Sequence, residues 1–183
     1  MDITEEHWLV GVKIVLSPFF NERPEGEAIS LLVLHNISLP PNQYGGDSIE
    51  KFFTGKLNPD DHPFFKVIHN MQVSAHCLIK RCGEIVQFVP FNKRAWHAGK
   101  SMFAGRENCN DFSIGIELEG TDLDSYTENQ YQVLAKLTRS LQIHYPHISS
   151  ERITGHQYIA PIRKSDPGLV FDWRKYKSYC ITN

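Results

Sequence analysis

The chain has 183 residues, of which 41% are hydrophobic and 22% charged, and its net charge at pH 7 is -2. This length suits one well-filled domain and is short for two. A near-neutral charge balance gives no electrostatic basis for binding nucleic acid or an anionic membrane surface. No stretch approaches the roughly 18 to 20 consecutive apolar residues that a membrane span requires. Composition therefore indicates a globular domain that binds neither nucleic acid nor membrane.

The N-terminal segment (MDITEEHW) is acidic and lacks the basic start and apolar core of a secretory signal peptide. It favours a cytoplasmic protein. The four cysteines (Cys77, Cys82, Cys109 and Cys180) form no C-x-x-C pair, so we expect free thiols in a cytoplasmic chain of this size. No internal repeat or low-complexity run divides the sequence. We therefore expect one domain over residues 1–183, with a monomer as the default.

The first predicted elements are two strands separated by a loop. Residues 7–16 (HWLVGVKIVL) are apolar and rich in β-branched side chains, which predicts a strand or an extended edge. Residues 19–28 are polar and contain proline and glycine, which predicts a loop. The nearly continuous apolar run over residues 29–37 is typical of a central strand that is buried on both faces.

A short helix and a hairpin are predicted next. Asp-Ser-Ile-Glu at residues 47–50 resembles a capped helix start, and the helix is expected to run through Phe53. Residues 73–80 and 84–89 alternate in hydrophobicity around Arg-Cys-Gly, a pattern typical of a β-hairpin. This part of the chain is therefore expected to add two strands.

The remainder of the chain alternates strands with helices. Residues 112–118 (FSIGIEL) predict a strand. Residues 127–130 (TENQ) resemble a capping box, and leucines at helical spacing extend the helix to about Tyr145. A short strand over 152–156 and a final helical turn over 173–179 follow. The sum is an α/β fold: a single domain with a central mixed β-sheet of about five or six strands flanked by helices.

Candidate metal ligands fall on two distant segments. The segment GHQYIAPIRKSDPG, residues 155–168, places an imidazole, an ammonium and a carboxylate within eleven residues. Its two prolines exclude one regular helix, so we predict a shaped loop, where functional groups usually lie. Far upstream, His35 ends an apolar strand. His35, His156 and Asp166 together form the donor set expected of a catalytic zinc with one open position.

Each of these residues has an ordinary structural alternative. A lone histidine at a strand end is more often a core residue with satisfied hydrogen bonds, and Asp-Pro-Gly is a common turn sequence. His76 and His97 match His35 and His156 in residue type, so sequence spacing ranks none of the four as ligands. The case for zinc rests on the set as a whole.

Glu117 lies on a strand whose alternation places Ser113, Gly115 and Glu119 on the same face. That face is either the solvated side of an edge strand or part of a site. A carboxylate beside a zinc ion would be the natural general base for a water nucleophile, because the metal makes water more acidic.

Lys164 and Trp96 also have two interpretations each. Lys164 is an exposed loop lysine, or its ammonium folds over the metal and stabilises the oxyanion of a tetrahedral intermediate. Trp96 is a core residue, or its indole, on the small-residue loop AWHAG, stacks on a sugar ring. Residue type alone does not decide between these interpretations.

The motifs together resemble the type 2 N-acetylmuramoyl-L-alanine amidase family. They are LLVLHN, SAHCLI followed by GEIVQFV, AWHAG, NDFSIGIE, and GHQYIAPIRKSDPG with FDW behind it. The resemblance covers a catalytic region of about residues 29–174 and implies an amidase type 2 fold like that of peptidoglycan-recognition proteins. The phrases HNISLPP, HPFF, VPFNKRAWHAG, NCNDFSIGIELEGT and IAPIRKSDPG are most similar to the cytoplasmic branch that acts on 1,6-anhydro-N-acetylmuramyl-L-alanine.

The resemblance implies a metal and two catalytic residues. One Zn2+ per chain would be held by His35, His156 and Asp166. Glu117 would be the catalytic glutamate that moves protons between the attacking water and the leaving amine. Lys164 would be the catalytic lysine that shares the negative charge of the tetrahedral intermediate.

The same resemblance assigns the surroundings of the site. His76 and His97 are not ligands and would support the sheet and the pocket wall. Asn36 and Trp96 would line the muramyl side of the cleft. Arg163 would meet the carboxylates of the peptide.

The implied reaction is zinc-dependent hydrolysis of the amide between the lactyl group of (1,6-anhydro)-N-acetylmuramic acid and L-alanine of the stem peptide, in cytoplasmic muropeptide recycling. The expected partner is an anhydro-muropeptide. A non-catalytic peptidoglycan-recognition module is one alternative, and loss of a ligand would favour it. An amidase acting on polymeric peptidoglycan is another, and an export signal or a wall-binding repeat would favour it. A purely structural zinc is disfavoured because three ligands leave the tetrahedron unfilled.

Overall fold

The computed structural model describes residues 1–181, and within them the chain forms ten strands and five α-helices. The strands are β1 (Lys13–Ile14), β2 (Phe20–Asn21), β3 (Leu31–Ile37), β4 (Cys77–Ile79), β5 (Ile85–Gln87), β6 (Arg94–Ala95), β7 (Met102–Phe103), β8 (Arg106–Glu107), β9 (Ser113–Glu119) and β10 (Ile153–Gly155). The helices are α1 (Ser48–Phe53), α2 (Phe65–Ile68), α3 (Glu128–His144), α4 (His156–Ile159) and α5 (Trp173–Ile181).

Six of the strands form one mixed sheet in the order β1-β5-β4-β9-β3-β10. β4, β9, β3 and β10 are mutually parallel, whereas β5 runs antiparallel to β4 and pairs in parallel with β1. The remaining strands form two short ribbons, β2 with β6 and β7 with β8. A single α/β domain built on a six-stranded mixed sheet confirms the predicted fold class.

The strand registers bring the ends of three parallel strands together. His35 of β3 lies opposite Glu117 of β9, and Leu34 of β3 lies opposite Gly155 of β10, which immediately precedes His156. The carboxyl ends of parallel strands share one edge of a sheet, where open α/β sheets usually bind their ligands. The fold therefore places His35, Glu117 and His156 side by side at that edge.

β3 and β9 form the centre of the sheet. Residues 31–34 have no solvent exposure, and every residue of β9 is buried. The central strand predicted at 29–37 is confirmed, and the strand predicted at 112–118 appears one residue later. Because β9 lies between β3 and β4, Glu117 does not lie on the solvated face of an edge strand.

One face of the sheet is covered by α3 and α5. α3 begins with the predicted capping box, in which the Thr127 hydroxyl accepts from the Gln130 backbone N–H at 3.2 Å and the Gln130 side chain accepts from the Thr127 N–H at 3.0 Å. Such caps stabilise a helix by about 1 kcal/mol. The apolar cluster on this face includes Leu32, Leu34, Ile114, Ile116, Leu134, Leu137, Leu141 and Tyr176. Within residues 1–181, no helix is both long enough and apolar enough to span a membrane.

The opposite face carries a second apolar cluster and the candidate site. α1 and α2 pack on this side. Their cluster with the sheet includes Phe52, Phe53, Phe65, Ile68, Leu78, Val86 and Phe88. Strand alternation puts His35 and Glu117 on this same face, because Leu34 and Ile116, their neighbours in sequence, point into the cluster under α3.

Most predicted elements appear at their predicted places, including the β4–β5 hairpin, α1, β10 and α5, but three local predictions were wrong. Of residues 7–16, only β1 joins the sheet, because His7 and Gly11 have positive φ angles of 66° and 76° and turn the chain. β2 lies within the predicted loop and pairs with β6. Asp47 does not cap α1 through its side chain but forms an ion pair with Lys51 at 2.9 Å.

Candidate metal centre

His35, His156 and Asp166 converge on one point at the edge of the sheet. His35 lies near the end of β3, His156 begins α4 directly after β10, and Asp166 lies on the loop that follows α4. The two Nδ1 atoms are 2.9 Å apart, and Asp166 Oδ2 lies 3.0 Å from Nδ1 of His35 and 3.1 Å from Nδ1 of His156. The histidines are buried and the aspartate nearly so. These residues form a cluster that could hold a metal ion.

Backbone hydrogen bonds hold the two ligand candidates of the C-terminal segment together. The prediction of an irregular loop over 155–168 is correct from Ala160 onwards, but His156–Ile159 form one helical turn. The Asp166 carbonyl accepts from the Gln157 N–H at 2.9 Å, which closes the loop back onto this turn. The aspartate is therefore positioned by the local fold and not only by its side-chain contacts.

The tautomer of His156 suits the cluster to a cation. Its Nε2 faces the carbonyl oxygen of Ala98 at 3.0 Å, and because a carbonyl only accepts, Nε2 carries the proton. A neutral ring then has a lone pair on Nδ1, which lies against the Asp166 carboxylate. Two electron-rich atoms at this distance and away from water repel each other unless positive charge lies between them. The donor chemistry therefore fits a divalent metal ion.

Burial and hydrogen bonding set the charges of the cluster. Burial lowers the pKa of His35 to about 4, so its imidazole is neutral at pH 7, the form that binds metals. The Asp166 carboxylate places an anionic oxygen against Nδ1 of each ring, at 3.0 Å from His35 and 3.1 Å from His156. The site thus offers neutral nitrogen and anionic oxygen, a donor set typical of transition-metal sites.

Glu117 lies beside the cluster and has an unsatisfied oxygen. The residue is only 9% exposed, and its Oε2 has no hydrogen-bond partner among residues 1–181. Burial raises the pKa of Glu117 well above its usual range; the Asp166 carboxylate adds to the rise, and Lys164 opposes it. A carboxyl group with a raised pKa holds a proton more tightly than an ordinary carboxyl, which favours a role in proton transfer.

The cluster and Glu117 open onto one cleft of about 370 Å³, which Lys164, Asn36 and Trp96 also line. The structure therefore brings together seven of the eight residues predicted for the site. Lys164 is solvent-exposed and lines the cleft, and its catalytic role stays a prediction. One wall of the cleft, which sequence analysis did not assign, is apolar and includes Leu39, Phe52, Phe53, Phe64, Ile68 and Met71.

Trp96 lines the cleft and is only half-buried, so the core alternative is wrong. Its indole N–H donates to Asn21 Oδ1 at 2.6 Å. The ring stacks on Phe19 with the ring centroids 6.3 Å apart. Because the N–H is engaged by Asn21, the indole offers apolar surface to the cleft.

Asp122 links two segments of the site, and sequence analysis missed it. Its Oδ1 accepts from the Asn36 side chain at 2.8 Å, and its Oδ2 accepts from the Ser165 hydroxyl at 2.5 Å. Asn36 directly follows one ligand candidate, and Ser165 directly precedes another. The surrounding sequence, Thr-Asp-Leu-Asp-Ser, is typical of an ordinary turn, so it gave no signal of this contact.

Arg163 lines an adjacent groove of about 650 Å³ and is the one predicted residue outside the cleft. Its Nη2 donates to the carbonyl oxygens of Ala98 at 2.6 Å and Lys100 at 2.9 Å. Because Ala98 also accepts from His156, this arginine braces the turn that orients a ligand candidate. Its contact with peptide carboxylates stays a prediction.

His76 and His97 contribute no atom to the cluster. Nδ1 of His76 accepts from the Gly115 N–H at 3.0 Å, and its Nε2 faces a backbone carbonyl at 3.0 Å. Nδ1 of His97 lies 2.9 Å from Nε2 of His35, on the side of that ring away from the cluster. Geometry thus separates four histidines that sequence spacing could not rank.

Comparison with known proteins identifies the class of protein that carries this site. The family model for N-acetylmuramoyl-L-alanine amidase (Amidase_2) matches residues 25–169. The chain therefore belongs to the N-acetylmuramoyl-L-alanine amidase family. It is 58% identical over 175 residues to the 1,6-anhydro-N-acetylmuramyl-L-alanine amidase AmpD of Escherichia coli K12, an alignment that covers 96% of this chain and 95% of that protein.

Solved structures agree with this assignment. A crystal structure of the selenomethionine derivative of AmpD matches with a TM-score of 0.95 and 55% identity, covering 98% of this chain and 99% of that one. The amidase AmiD of E. coli, in complex with anhydro-N-acetylmuramic acid-L-Ala-D-gamma-Glu-L-Lys, matches with a TM-score of 0.62 and 26% identity, covering 88% of this chain and 65% of that one. The resemblance to the AmpD-type branch is confirmed.

Proposed function

We propose that this chain is a zinc amidase that hydrolyses the amide between the lactyl group of 1,6-anhydro-N-acetylmuramic acid and L-alanine of a stem peptide. The observation that carries the proposal is the buried cluster of His35, His156 and Asp166 beside Glu117, whose buried Oε2 has no hydrogen-bond partner within the described residues 1–181. Family membership supports it, since the E. coli relative is a 1,6-anhydro-N-acetylmuramyl-L-alanine amidase.

One Zn2+ per chain fits the donor set. Two imidazole nitrogens and one carboxylate oxygen are zinc donors, and three protein ligands leave a fourth position open for catalysis. Tetrahedral ligands with zinc bonds of about 2.0 to 2.1 Å are roughly 3.3 Å apart, close to the separations of 2.9 to 3.1 Å here. When bound, zinc supplies a Lewis acid that polarises a carbonyl oxygen and makes water acidic enough to attack at neutral pH.

Glu117 is the proposed general base and then the general acid. Its buried carboxyl takes a proton from the attacking water, and the raised pKa lets it hold that proton during the attack. It then passes the proton to the departing amine of L-alanine, so the same oxygen serves both halves of the reaction. The position of Glu117 opposite His35 supports this role.

Lys164 is proposed to stabilise the negative charge that develops on the lactyl carbonyl oxygen. Lys164 lines the cleft, and its charge opposes the rise in the pKa of Glu117, which supports a role close to the reacting groups. Ser165 next to it is anchored to Asp122, which restrains the loop that carries the lysine.

The remaining cleft residues are proposed to bind the substrate. The muramyl sugar would lie against the indole of Trp96 and the apolar wall, with Asn36 at the ligand end of the cleft. The stem peptide would run toward Arg163, whose groove adjoins the turn at Ala98. AmiD binds an anhydro-muramyl tripeptide, and a ligand of that class suits an apolar cleft with cationic groups at its rim.

We also propose that the chain acts as a monomer in the cytoplasm, in muropeptide recycling. The proposed substrate is a small anhydro-sugar peptide released from the wall polymer. The cleft and the adjacent groove that Arg163 lines offer such a fragment a binding surface within a single domain. A wall-binding repeat would favour action on the polymer instead, and sequence analysis found no repeat.

A paired assay tests the proposed function. Zinc-loaded and chelated samples of the chain are incubated with anhydro-muramyl tripeptide, and free tripeptide is measured by mass spectrometry. We expect release only from the zinc-loaded sample and its recovery when zinc is returned to the chelated one. Binding without release by intact, zinc-loaded protein would favour the peptidoglycan-recognition module, the alternative that the complete ligand set argues against.

Trp96→Ala is expected to raise KM for the anhydro-muramyl tripeptide about 10-fold with little change in kcat. The loss corresponds to about 1.4 kcal/mol of binding, the scale of a lost aromatic contact. Trp8→Ala is the matched control, because Trp8 is also half-buried but does not line the cleft. Steady-state kinetics of the two variants measure this difference. An unchanged KM for Trp96→Ala would mean that the indole does not contact the substrate.

A further inference from the structure

The ring nitrogen of His35 that faces away from the cluster enters a chain of hydrogen bonds into the protein interior. Its Nε2 lies 2.9 Å from Nδ1 of His97. Nε2 of His97 lies 3.1 Å from the hydroxyl of Ser113, and that hydroxyl lies 2.5 Å from the carbonyl oxygen of Cys109. Ser113 and Cys109 are completely buried, so water does not interrupt the far end of this chain.

The hydrogen bond between Ser113 and Cys109 determines which atom donates in each of the other hydrogen bonds. A carbonyl only accepts, so Ser113 donates its proton to Cys109, and its oxygen is left to accept from Nε2–H of His97. A neutral His97 then has its lone pair on Nδ1 and accepts from Nε2–H of His35. This places the lone pair of His35 on Nδ1, the atom that faces the metal cluster.

If the donors and acceptors along this chain of hydrogen bonds were reversed, His35 could not bind a metal. If Ser113 donated to His97, the imidazole of His97 would donate through Nδ1 to His35. Nδ1 of His35 would then carry a proton, and a protonated nitrogen has no lone pair for a metal. In that arrangement Ser113 would also lose its hydrogen bond to the Cys109 carbonyl. The cost of losing this bond disfavours the arrangement.

Backbone hydrogen bonds and a glycine of the central sheet fix the position of the His97 ring. Its backbone N–H and that of Ala98 donate to Asn110 Oδ1 at 3.1 and 2.8 Å. Its ring lies over Gly115 of β9, where a Cβ would come within 2.4 Å of His97 Cγ. Glycine at 115 thus provides the space that lets this ring reach His35.

We propose that His97 and Ser113 are positioning residues that hold His35 in its metal-binding tautomer and orientation. The inference rests on the proposed zinc site. The Ala98 carbonyl fixes the same tautomer in His156 directly, so the tautomers of the two ligands are fixed by different hydrogen-bond partners. Removing an outer-shell partner of a metal-bound histidine typically weakens metal binding by about 10- to 100-fold.

The zinc affinity of the purified chain, measured by competition with a chromogenic chelator, tests the proposal. His97→Leu removes both ring nitrogens and is expected to weaken zinc binding roughly 10- to 100-fold. His97→Asn keeps an acceptor oxygen near the place of Nδ1 and is expected to restore most of the affinity. Ser113→Ala is expected to weaken binding about 10-fold. Its matched control, Ser17→Ala, removes another fully buried hydroxyl, whose contacts are with Phe53 and Phe19, and is expected to match the wild type.

Long-range 1H–15N NMR spectra distinguish control of the tautomer from a merely structural role of His97 and Ser113. They report which ring nitrogen carries the proton. In the zinc-loaded wild type, His97 is expected to be protonated on Nε2 and unprotonated on Nδ1. In Ser113→Ala, a measurable population protonated on Nδ1 is expected. A wild-type His97 protonated on Nδ1 would overturn the proposal.

The outcomes separate this inference from the proposed function. A wild-type chain that binds no zinc would overturn both. Zinc binding by the wild type that His97→Leu and Ser113→Ala leave unchanged would overturn the inference alone. If His97→Leu does not fold, the comparison of Ser113→Ala with Ser17→Ala decides, because it leaves both histidines in place.

Discussion

Glu117→Gln is expected to lower kcat by about 100-fold or more while the protein keeps its zinc. The amide preserves the shape of the side chain but cannot take a proton from water, and a positioned general base contributes roughly 10²- to 10⁴-fold. The lower figure corresponds to about 2.7 kcal/mol of transition-state stabilisation. Release of tripeptide gives kcat, and elemental analysis gives the zinc content of the same sample.

Glu119→Gln is the matched control for this prediction. Glu119 lies two residues further on the same face of β9 and is also buried, but its oxygens accept from the backbone N–H groups of Gly45 at 2.6 Å and Arg81 at 3.0 Å. Its carboxyl therefore holds loops together, and its amide variant is expected to lose thermal stability and keep its kcat. Near-normal turnover in Glu117→Gln would remove the base role, and equal losses in both variants would assign the effect to the strand.

The framework of the site could be predicted from the sequence because its strands and main helix have strong local signals. β3 and β9 lie at the centre of the sheet and are buried; β3 appears as an apolar run, whereas β9 alternates apolar residues with polar residues or glycine. α3 combines a capping box with leucines at helical spacing. Two-residue strands such as β1 and β2 have no such signal, because their pairing depends on partners far away in the sequence.

Residue types alone suggest the ligand set but do not determine it. His35 and His156 are 121 positions apart and meet only because β3 and β10 pair in parallel with one particular register. His76 and His97 are equally good donors in isolation, and their rejection depends on which groups engage their ring nitrogens. The resemblance to a family supplied the choice that spacing could not.

Residues that support the site from loops were missed for the same reason. Asp122 contacts Asn36 and Ser165, which lie 86 and 43 positions away in the sequence. A local turn pattern carries no information about contacts that are so distant in sequence. The apolar wall includes Phe52 and Phe53 of α1 and Ile68 of α2, side chains that local patterns assign to the core. Such contacts follow from the packing of elements rather than from the pattern within any one of them.

Asp166→Ala is expected to abolish stoichiometric zinc binding and, with it, turnover. The substitution removes the single anionic ligand and leaves two imidazoles, so the loss of affinity should exceed the roughly 10- to 100-fold associated with outer-shell partners. Zinc content after gel filtration, measured by elemental analysis, is expected to fall to near zero. Asp124→Ala is the control, an exposed aspartate on the Asp122 loop that bonds the Tyr44 hydroxyl, and it should keep its zinc.

The loss of metal in Asp166→Ala would not reflect collapse of the loop. The backbone carbonyl of Asp166 is bonded to Gln157, the carbonyl of Pro167 accepts from the Tyr126 hydroxyl at 2.7 Å, and these bonds do not involve the substituted side chain. Because these backbone bonds remain in the variant, the metal-free variant is expected to keep the fold of the metal-free wild type. Stoichiometric zinc in Asp166→Ala would remove this residue from the ligand set and require another donor at the same edge of the sheet.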